Sequence, residues 1–462
     1  MTQAPFGDYI LELASLDVTT ERYKPIPHFN VKAVEWALLF GMSFLLGIGM
    51  GANDIADAFG TSVGTHTVTI NQAFILATLF ELVGSLIAGL NNTLMASLDI
   101  INFPLYFDHP DELILGQVAS IIGCTTWLMV ATAYKMPVST IHATVGGNIG
   151  FSLVLRGFNG ILWTRVAAIS MVWIFSPIVS GLFSILVFYI IDFTVLRRKN
   201  PLKAASNLLP AFYFVTFFIA IALVISDGSR IVGFQNIPVD MVMLISIAAG
   251  GTFGLFALFI VEPFMRQRIG SLKGFLAWFR TSQEKDDEDA VRLFAFLQVA
   301  VACFSAFSYG ANDIMFSISP LYELLRMYNQ EELNSGYLDT TVLLGMFATL
   351  AVIIGIWSIG TRVIHTVGQG ISEINPATGF AVEFGAAFTG MFTNIFNAPQ
   401  SNTHSLVGSL VLLGFVRSGP VIHWKMVRKV MISWILTFPF SGLISAGVML
   451  LFQAYRDATF SK

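Results

Sequence analysis

Charged residues are scarce in this sequence. They make up 12% of its 462 residues, while hydrophobic residues make up 55%. An ordinary soluble domain contains about 25% charged residues, so a soluble fold of this size would lack the polar surface to cover its core. The composition therefore excludes a soluble globular protein. It equally excludes a disordered chain, which needs low hydrophobicity and high net charge.

Basic residues and cysteines are also few. The 25 Lys and Arg residues are outnumbered by 29 Asp and Glu residues, whereas a nucleic-acid-binding protein carries a basic excess. Cys124 and Cys303 are the only cysteines, and both lie in apolar stretches. The sequence therefore predicts no nucleic-acid partner, no disulfide framework and no zinc site.

The sequence contains long windows without any charged residue. Crossing a hydrocarbon core of roughly 30 Å takes about 20 helical residues, and most of the windows come close to that length. Because the hydrocarbon layer contains no water, a segment inside it must satisfy its own backbone hydrogen bonds. The sequence therefore predicts an all-α polytopic membrane protein. The windows are 36–53, 58–80, 82–98, 113–134, 166–191, 204–226, 241–261, 293–312, 340–361, 384–416 and 430–455.

The basic residues that do occur cluster in three segments, 197–203, 262–292 and 417–429. Positively charged loops of membrane proteins face the cytoplasm, so we expect these segments on the cytoplasmic side and the C-terminus outside. The middle segment contains an acidic run at 284–289. We interpret it as a solvated linker between two halves of the chain.

Two motifs recur in these halves at nearly one offset. Gly51-Ala-Asn-Asp-Ile55 returns 259 residues later from Gly310, and the segment from Pro137 to Gly146 returns 262 residues later from Pro399. Paired membrane segments interrupted by Gly or Pro at matching positions are the best sequence indication of a transporter's binding site. The second Gly-Ala-Asn-Asp helix runs outward from the linker, so the repeat is inverted if the first runs inward.

The Asn-Asp pairs are polar residues deep in apolar sequence: Asn53, Asp54, Asn312 and Asp313. A carboxylate at mid-membrane costs about 2.5–3.5 kcal/mol, and its duplication indicates a function. We expect each preceding glycine to permit a helix break that frees carbonyl oxygens, completing a site for a small cation such as sodium. The alternative is that each Asp pairs with a donor and locks helix packing. Asp57 has no carboxylate counterpart, and we interpret it as structural or rim-lining.

The proline motifs have a different chemistry. Pro137 and Pro399 exclude a continuous helix, and a helix that begins after each would direct free N–H groups and its positive dipole end at one point. Such a point binds anions like phosphate or sulfate. Irregular backbone at membrane depth lines a cavity, so we expect two re-entrant hairpin tips; the alternative is two capped kinks. The candidate anion ligands are Ser139, Thr140, Ser401, Asn402 and Thr403.

Four further titratable residues are candidates for transport. His142 and His404 occupy the same place in the two copies; packing is the commoner role of such a histidine, with proton or substrate contact as the alternative. Glu81 and Glu383 stand alone in apolar helices and are not repeat mates. Coupling or transport is the favoured role for both, and a paired or protonated structural glutamate is the alternative.

These motifs resemble the inorganic phosphate transporter (PiT) family, solute carrier family 20. The resemblance covers most of the chain in family order. It implies an inverted-repeat transporter of about 12 transmembrane helices with extracellular termini, which moves phosphate with sodium. The segments that carry it are Gly51–Thr61, Phe80–Gly84, Pro137–His142, Ser308–Asp313, Gly360–Gly368, Pro376–Phe380 and Pro399–His404.

The resemblance also implies roles for individual residues. The Asn-Asp pairs belong to the ion and substrate centre, the proline motifs hold the anion, and Glu81 and Glu383 are needed for transport. The chain departs from the family pattern at Ile141, where Thr is usual, and at Gln400 and Asn402, where Val and Thr are usual. These departures predict an anion site with an altered set of donors.

The sequence thus predicts a secondary-active symporter, not an enzyme, that imports inorganic phosphate with sodium and needs no cofactor. Alternatives are a proton-coupled phosphate or sulfate carrier of the same family, and a non-transporting phosphate sensor or surface receptor. We expect a multi-pass protein of the plasma membrane, with a homodimer left open. The expected segments are an extracellular tail (1–30), the first repeat with connecting helices (31–261), a cytoplasmic linker (262–292) and the second repeat with a C-terminal helix (293–462).

Overall fold

The chain is almost entirely helical in the part that the computed structural model describes. Its only β-structure there is two isolated bridges, Ile101 with Ile161 and Ser372 with Ile422. Nine stretches of this described part are helices long and apolar enough to cross a membrane, which confirms the prediction of a helical integral membrane protein. The described residues are 33–89, 100–106, 108–226, 234–266, 288–312, 314, 316–321, 338–395, 400–417 and 422–460.

Several expectations fall outside these ranges. The whole of the tail 1–30 and most of the linker 262–292 are not described, and neither is Asp313. The total of about 12 transmembrane helices stays a prediction.

The helices are numbered here in chain order. The first half contains α1 (Ala33–Gly64), α2 (Ile70–Gly84), α3 (Pro110–Ala133), α4 (Thr140–Arg156) and α5 (Trp163–Ile191). Two connecting helices follow, α6 (Pro201–Ser226) and α7 (Val239–Phe256). The second half contains α8 (Glu288–Arg292), α9 (Ala295–Asn312), α10 (Leu338–Ile359), α11 (Thr361–His365), α12 (Pro376–Ile395), α13 (Asn402–Val416) and α14 (Trp424–Phe460). Short π-helical turns extend α2, α5, α7 and α11 at Ser85–Gly89, Asp192–Leu196, Ala257–Val261 and Thr366–Gly370.

The two halves interlock through their last long helices. Helix α5 packs along α13 of the other half, and α14 packs along α4. Serine hydroxyls mark both contacts: Ser180 donates to the carbonyl of Ser405 at 2.9 Å, and Ser441 donates to the carbonyl of Ala143 at 2.6 Å. Small residues and serine hydroxyls are the usual means of joining helices in lipid, where apolar side chains gain nothing by leaving it.

The glycine of each Gly-Ala-Asn-Asp motif lies where a second helix crosses closely. Helix α1 runs without interruption through Gly51, and α9 runs through Gly310 to Asn312. A Cβ atom at Gly51 would lie 2.0 Å from the carbonyl oxygen of Val352, and one at Gly310 would lie 2.1 Å from that of Glu81. The expected helix break is therefore wrong: these glycines allow backbone-to-backbone packing against α10 and α2.

Candidate functional site

The proline motifs produce the two helix starts that the sequence predicts. Helix α4 begins at Thr140 and α13 at Asn402. In each, the preceding serine caps the helix: Ser139 Oγ accepts from the backbone N–H of the residue three positions on at 3.5 Å, and Ser401 Oγ does the same at 3.3 Å. These caps follow the usual N-cap pattern. Both serines are buried, so the two capped turns lie inside the protein.

A stack of four aromatic rings joins these two turns. The rings of His142 and His404 are 4.4 Å apart and nearly parallel, at 11°. Trp173 of α5 lies 3.6 Å from the His142 ring, and Trp434 of α14 lies 3.7 Å from the His404 ring. The tryptophans are 261 residues apart in the sequence, so the stack repeats the internal symmetry. This geometry favours a packing role for the histidines at the junction of the two halves.

Asn53 holds the chain segment that leads into α4. Its Nδ2 donates to Thr132 Oγ1 and to the carbonyl of Met136, both at 3.0 Å, and its Oδ1 accepts from the N–H of Val138 at 2.9 Å. The side chain is fully buried. These three bonds span the chain reversal between α3 and α4, so Asn53 positions the start of α4.

Two aspartates on one face of α1 reach the two helix starts. Asp54 Oδ2 lies 3.4 Å from Thr140 Oγ1 at the start of α4. Asp57 Oδ2 accepts from Thr403 Oγ1 at the start of α13 at 2.5 Å. Asp57 is 1% exposed. Each predicted anion-binding turn thus has its own carboxylate partner on α1.

Asp57, interpreted from the sequence as structural or rim-lining, is a buried carboxylate beside the start of α13. Phe316 occupies the matching place in the second copy, so duplication gave no support to Asp57. The signal that could have found it is helical spacing, because residues three apart share one face of a helix. Asp54 and Asp57 are three apart.

The polar face of α1 continues towards Glu383. Thr61 Oγ1 donates to Glu383 Oε1 at 2.5 Å, and Ser305 Oγ donates to Oε2 at 3.5 Å. Gln298 Nε2 donates to Thr61 Oγ1 at 3.2 Å, while Gln298 Oε1 accepts from Thr65 at 2.9 Å. Glu383 is fully buried. Sequence reasoning identified this glutamate but missed the hydroxyl and amide groups around it, because uncharged polar residues are common in membrane helices.

The remaining predicted residues lie elsewhere or are not described. Glu81 is buried in α2, where its backbone carbonyl packs against Gly310 of α9. Asn312 ends α9, and the approach of Asp313 to Asp54 that the repeat predicts involves an undescribed residue. The described part of the candidate site therefore consists of the starts of α4 and α13, Asp54 and Asp57 of α1, and Glu383 of α12.

The ligands available for a cation are mixed oxygens. No group of three His, Cys, Asp or Glu side chains suited to a metal ion occurs among the described residues. Carboxylates instead stand beside threonine and serine hydroxyls, as at Asp57 with Thr403 and at Glu383 with Thr61. Such oxygen groups suit a hard monovalent or divalent cation better than a transition metal.

Apolar membrane-length helices around two buried helix starts and buried carboxylates are typical of membrane transporters. Comparison with known proteins agrees. A model of the phosphate transporter family matches residues 50–445. The chain belongs to this family.

Named relatives and a solved structure extend the comparison. The chain is 30% identical to the chloroplastic inorganic phosphate transporter 2-1 of Arabidopsis thaliana, over 88% of this chain and 70% of the relative. It is 23% identical to sodium-dependent phosphate transporter 1 of Mus musculus, over 90% and 95% of the two chains. A solved structure of a sodium-dependent phosphate transporter matches with a TM-score of 0.75 and 26% identity, over 91% of this chain and 99% of that chain.

Proposed function

We propose that this protein is a secondary-active symporter that imports inorganic phosphate coupled to sodium. The observation that carries the proposal is the pairing of Asp54 with Thr140 and of Asp57 with Thr403. This pairing places one carboxylate beside each of the two helix starts, and the backbone N–H groups of those starts suit an oxyanion. Phosphate and sodium are the proposed substrates.

Charge explains why a cation must accompany the anion. At about 4 Å and an effective dielectric of about 20, two unit charges interact by about 4 kcal/mol. A doubly charged phosphate beside one ionised aspartate would therefore be repelled by roughly 8 kcal/mol. Sodium bound at Asp54 or Asp57 removes most of that repulsion. The two ligands then favour each other, and the coupling is reciprocal.

The proposal assigns the anion to the starts of α4 and α13. Ser139, Thr140, Ser401, Asn402 and Thr403 supply hydroxyl and amide groups there, beside the free N–H groups of each first turn. No basic side chain is required, because the bound sodium supplies the positive charge. Asn53, Asp54, Asn312 and Asp313 remain the proposed coupling residues, to which Asp57 is added.

The proposed architecture is that of two inverted repeats. The interlocking of α5 with α13 and of α14 with α4 supports it, since the paired serines and tryptophans occur at one offset. About 12 transmembrane helices, two re-entrant hairpins ending at Ser139 and Ser401, and external termini complete the proposal, with the plasma membrane as its location.

A proton-coupled carrier is the second candidate. The observation that favours it is Glu383, a fully buried carboxyl group held by the hydroxyls of Thr61 and Ser305. A carboxyl group in such a place is a natural carrier of one proton. Phosphate uptake measured under a sodium gradient and under a proton gradient distinguishes the two kinds of coupling.

Uptake of radiolabelled phosphate into proteoliposomes tests the proposal. An inward sodium gradient should stimulate uptake, a proton gradient without sodium should not, and sulfate should compete weakly. Stimulation by the proton gradient alone would establish the second candidate. Phosphate binding without uptake under either gradient would leave a phosphate sensor.

A further inference from the structure

Exposed basic side chains without a carboxylate partner gather at one end of the helical bundle. None of them forms an ion pair with another residue in the described ranges. Other basic residues differ in this respect. Arg156 Nη1 lies 2.7 Å from Glu112 Oε2, and Arg197 Nη2 has a carboxylate oxygen 2.6 Å away. We call the unpaired side chains the basic patch: Lys135, Arg362, Lys425, Arg428 and Lys429.

Hydrogen bonds between three elements bring the basic patch together. Lys429 Nζ of α14 donates to the backbone carbonyl of Tyr134, at the end of α3, at 3.0 Å. Thr366 Oγ1, directly after α11, donates to the carbonyl of Lys135 at 2.9 Å. Arg362 precedes Thr366 by four residues, so it lies on the same helix face one turn away. The three cations of α14 are three and four residues apart and share the face that meets Tyr134.

Lys135 occupies a backbone position that suits glycine. Its φ is 59°, and its N–H donates to the carbonyl of Thr132 at 3.0 Å. The N–H of Met136 donates to the carbonyl of Ala131 at 2.9 Å. This is the Schellman arrangement, in which the left-handed residue after a helix is usually glycine. A residue with a side chain is less stable than glycine in this conformation, so helix termination does not account for a lysine here.

The basic patch lies at the level of a membrane surface. Helices α3, α10 and α14 are each long and apolar enough to cross a membrane. Lys135 comes two residues after α3 ends, Arg362 three residues after α10 ends, and Lys425 is the second residue of α14. Tyr134 and Trp424 are exposed beside them, and tyrosine and tryptophan are enriched at membrane–water interfaces. The basic patch therefore lies where the headgroups of lipids are found.

Positive charge is in excess at this place. Glu373 is the acidic residue at the edge of the basic patch. It is exposed and follows Ser372, which forms a β-bridge with Ile422 just before α14. One carboxylate beside five cations leaves a surface that attracts anions.

We propose that the basic patch binds the headgroup of an anionic membrane phospholipid. Clusters of lysine and arginine at the end of a membrane helix are typical of sites for such lipids. The cations come from the turn between α3 and α4, from α11 and from α14, so a bound headgroup joins elements from both halves of the chain. Inorganic phosphate offers a similar charge but has no acyl chains to hold it at this level, and the experiment separates the two.

Displacement of a fluorescent phosphatidylglycerol from the purified full-length protein in a neutral detergent tests the proposal. A lysine or arginine near a membrane surface contributes about fivefold to the binding of anionic lipid. Unlabelled phosphatidylglycerol should therefore displace the probe at roughly one tenth of the concentration needed with phosphatidylcholine of the same acyl chains, and inorganic phosphate should displace little. The double variant Lys425→Gln, Lys429→Gln should bind the probe roughly tenfold or more weakly.

Lys135→Gly separates lipid binding from folding. Glycine suits a φ of 59°, so this variant should keep or raise the Tm of the lipid-free protein, while it weakens probe binding about fivefold. Lys135→Arg should keep the binding. Lys203→Gln is the matched control, because Lys203 is an exposed lysine in the first turn of α6; it should bind the probe like the wild type.

Four results would overturn the inference. The first is equal displacement by phosphatidylglycerol and phosphatidylcholine, and the second is wild-type affinity in both Lys135→Gly and the double variant. The third is an equal loss in Lys203→Gln, which would show that any positive charge attracts the lipid. The fourth is displacement by inorganic phosphate as readily as by phosphatidylglycerol, because a soluble anion would then be the ligand. If Lys135→Gly does not fold, the double variant decides.

Discussion

Asp57→Asn is the substitution that examines cation and anion coupling most closely. Asparagine keeps the shape of the side chain and an oxygen that accepts from Thr403, but it removes the negative charge. If Asp57 repels phosphate until sodium binds, Asp57→Asn should tighten phosphate binding in the absence of sodium and remove the gain that sodium brings. The perturbation thus changes one charge at the start of α13 and little else.

The size of the effect is smaller than the bare Coulomb repulsion of roughly 8 kcal/mol, because the loss of hydration of sodium on binding offsets much of that gain. Site-to-site couplings are typically about 1–3 kcal/mol, or roughly 5–150-fold in affinity. We expect sodium to tighten phosphate binding by a factor in that range in the wild type and by less than about threefold in Asp57→Asn.

The assay is equilibrium binding of radiolabelled phosphate to purified protein, titrated with sodium. Asp240→Asn is the matched control, because Asp240 is an exposed carboxylate in the first turn of α7; it should keep the wild-type response to sodium. Retention of the full sodium response in Asp57→Asn would refute the coupling argument and make Asp57 a structural partner of Thr403.

Three further predictions follow from the site and its packing. Glu383→Gln keeps the bond from Thr61 but removes the group that can gain and lose a proton, so gradient-driven uptake should fall far more than surface expression; equal falls in both would leave only a packing role. Thr403→Val should raise the apparent KM for phosphate roughly tenfold or more, since a bond to a charged group is worth about 1.5–3 kcal/mol, and Thr403→Ser should restore it. Gly51→Ala should destabilise the protein by about 1–3 kcal/mol through overpacking, measured as a lower Tm, whereas Gly41→Ala meets nothing within 4 Å and should not.

Much of the fold could be predicted because membrane helices obey simple rules. Charge-free windows predicted most of the long helices, since the bilayer core excludes both charge and unsatisfied backbone. The prolines at 137 and 399 predicted the two interior helix starts. The exchange of α5 and α14 between the halves could not be predicted, because it depends on contacts between residues more than 200 positions apart, such as Ser180 with Ser405.

The site was predicted less completely, and the reasons are local. A glycine in a helix indicates either a helix break or a close helix crossing. A break was predicted at Gly51, where α1 instead crosses α10 closely. Asn53 was predicted as a coupling residue from its place in the repeat, and its bonds to the turn before α4 could not be predicted because they join residues about 80 positions apart. Asp57 has no carboxylate counterpart in the second copy of the motif, so the repeat did not indicate a role for it, although it shares a helix face with Asp54.

The most direct test of sodium–phosphate symport is whether one substrate drives the other uphill. Proteoliposomes are prepared with equal sodium inside and out, the membrane potential is clamped at zero, and an inward phosphate gradient is imposed. The account predicts a transient accumulation of labelled sodium above its external concentration, abolished in Asp54→Asn and Asp313→Asn. Phosphate entry with no net movement of sodium would contradict it.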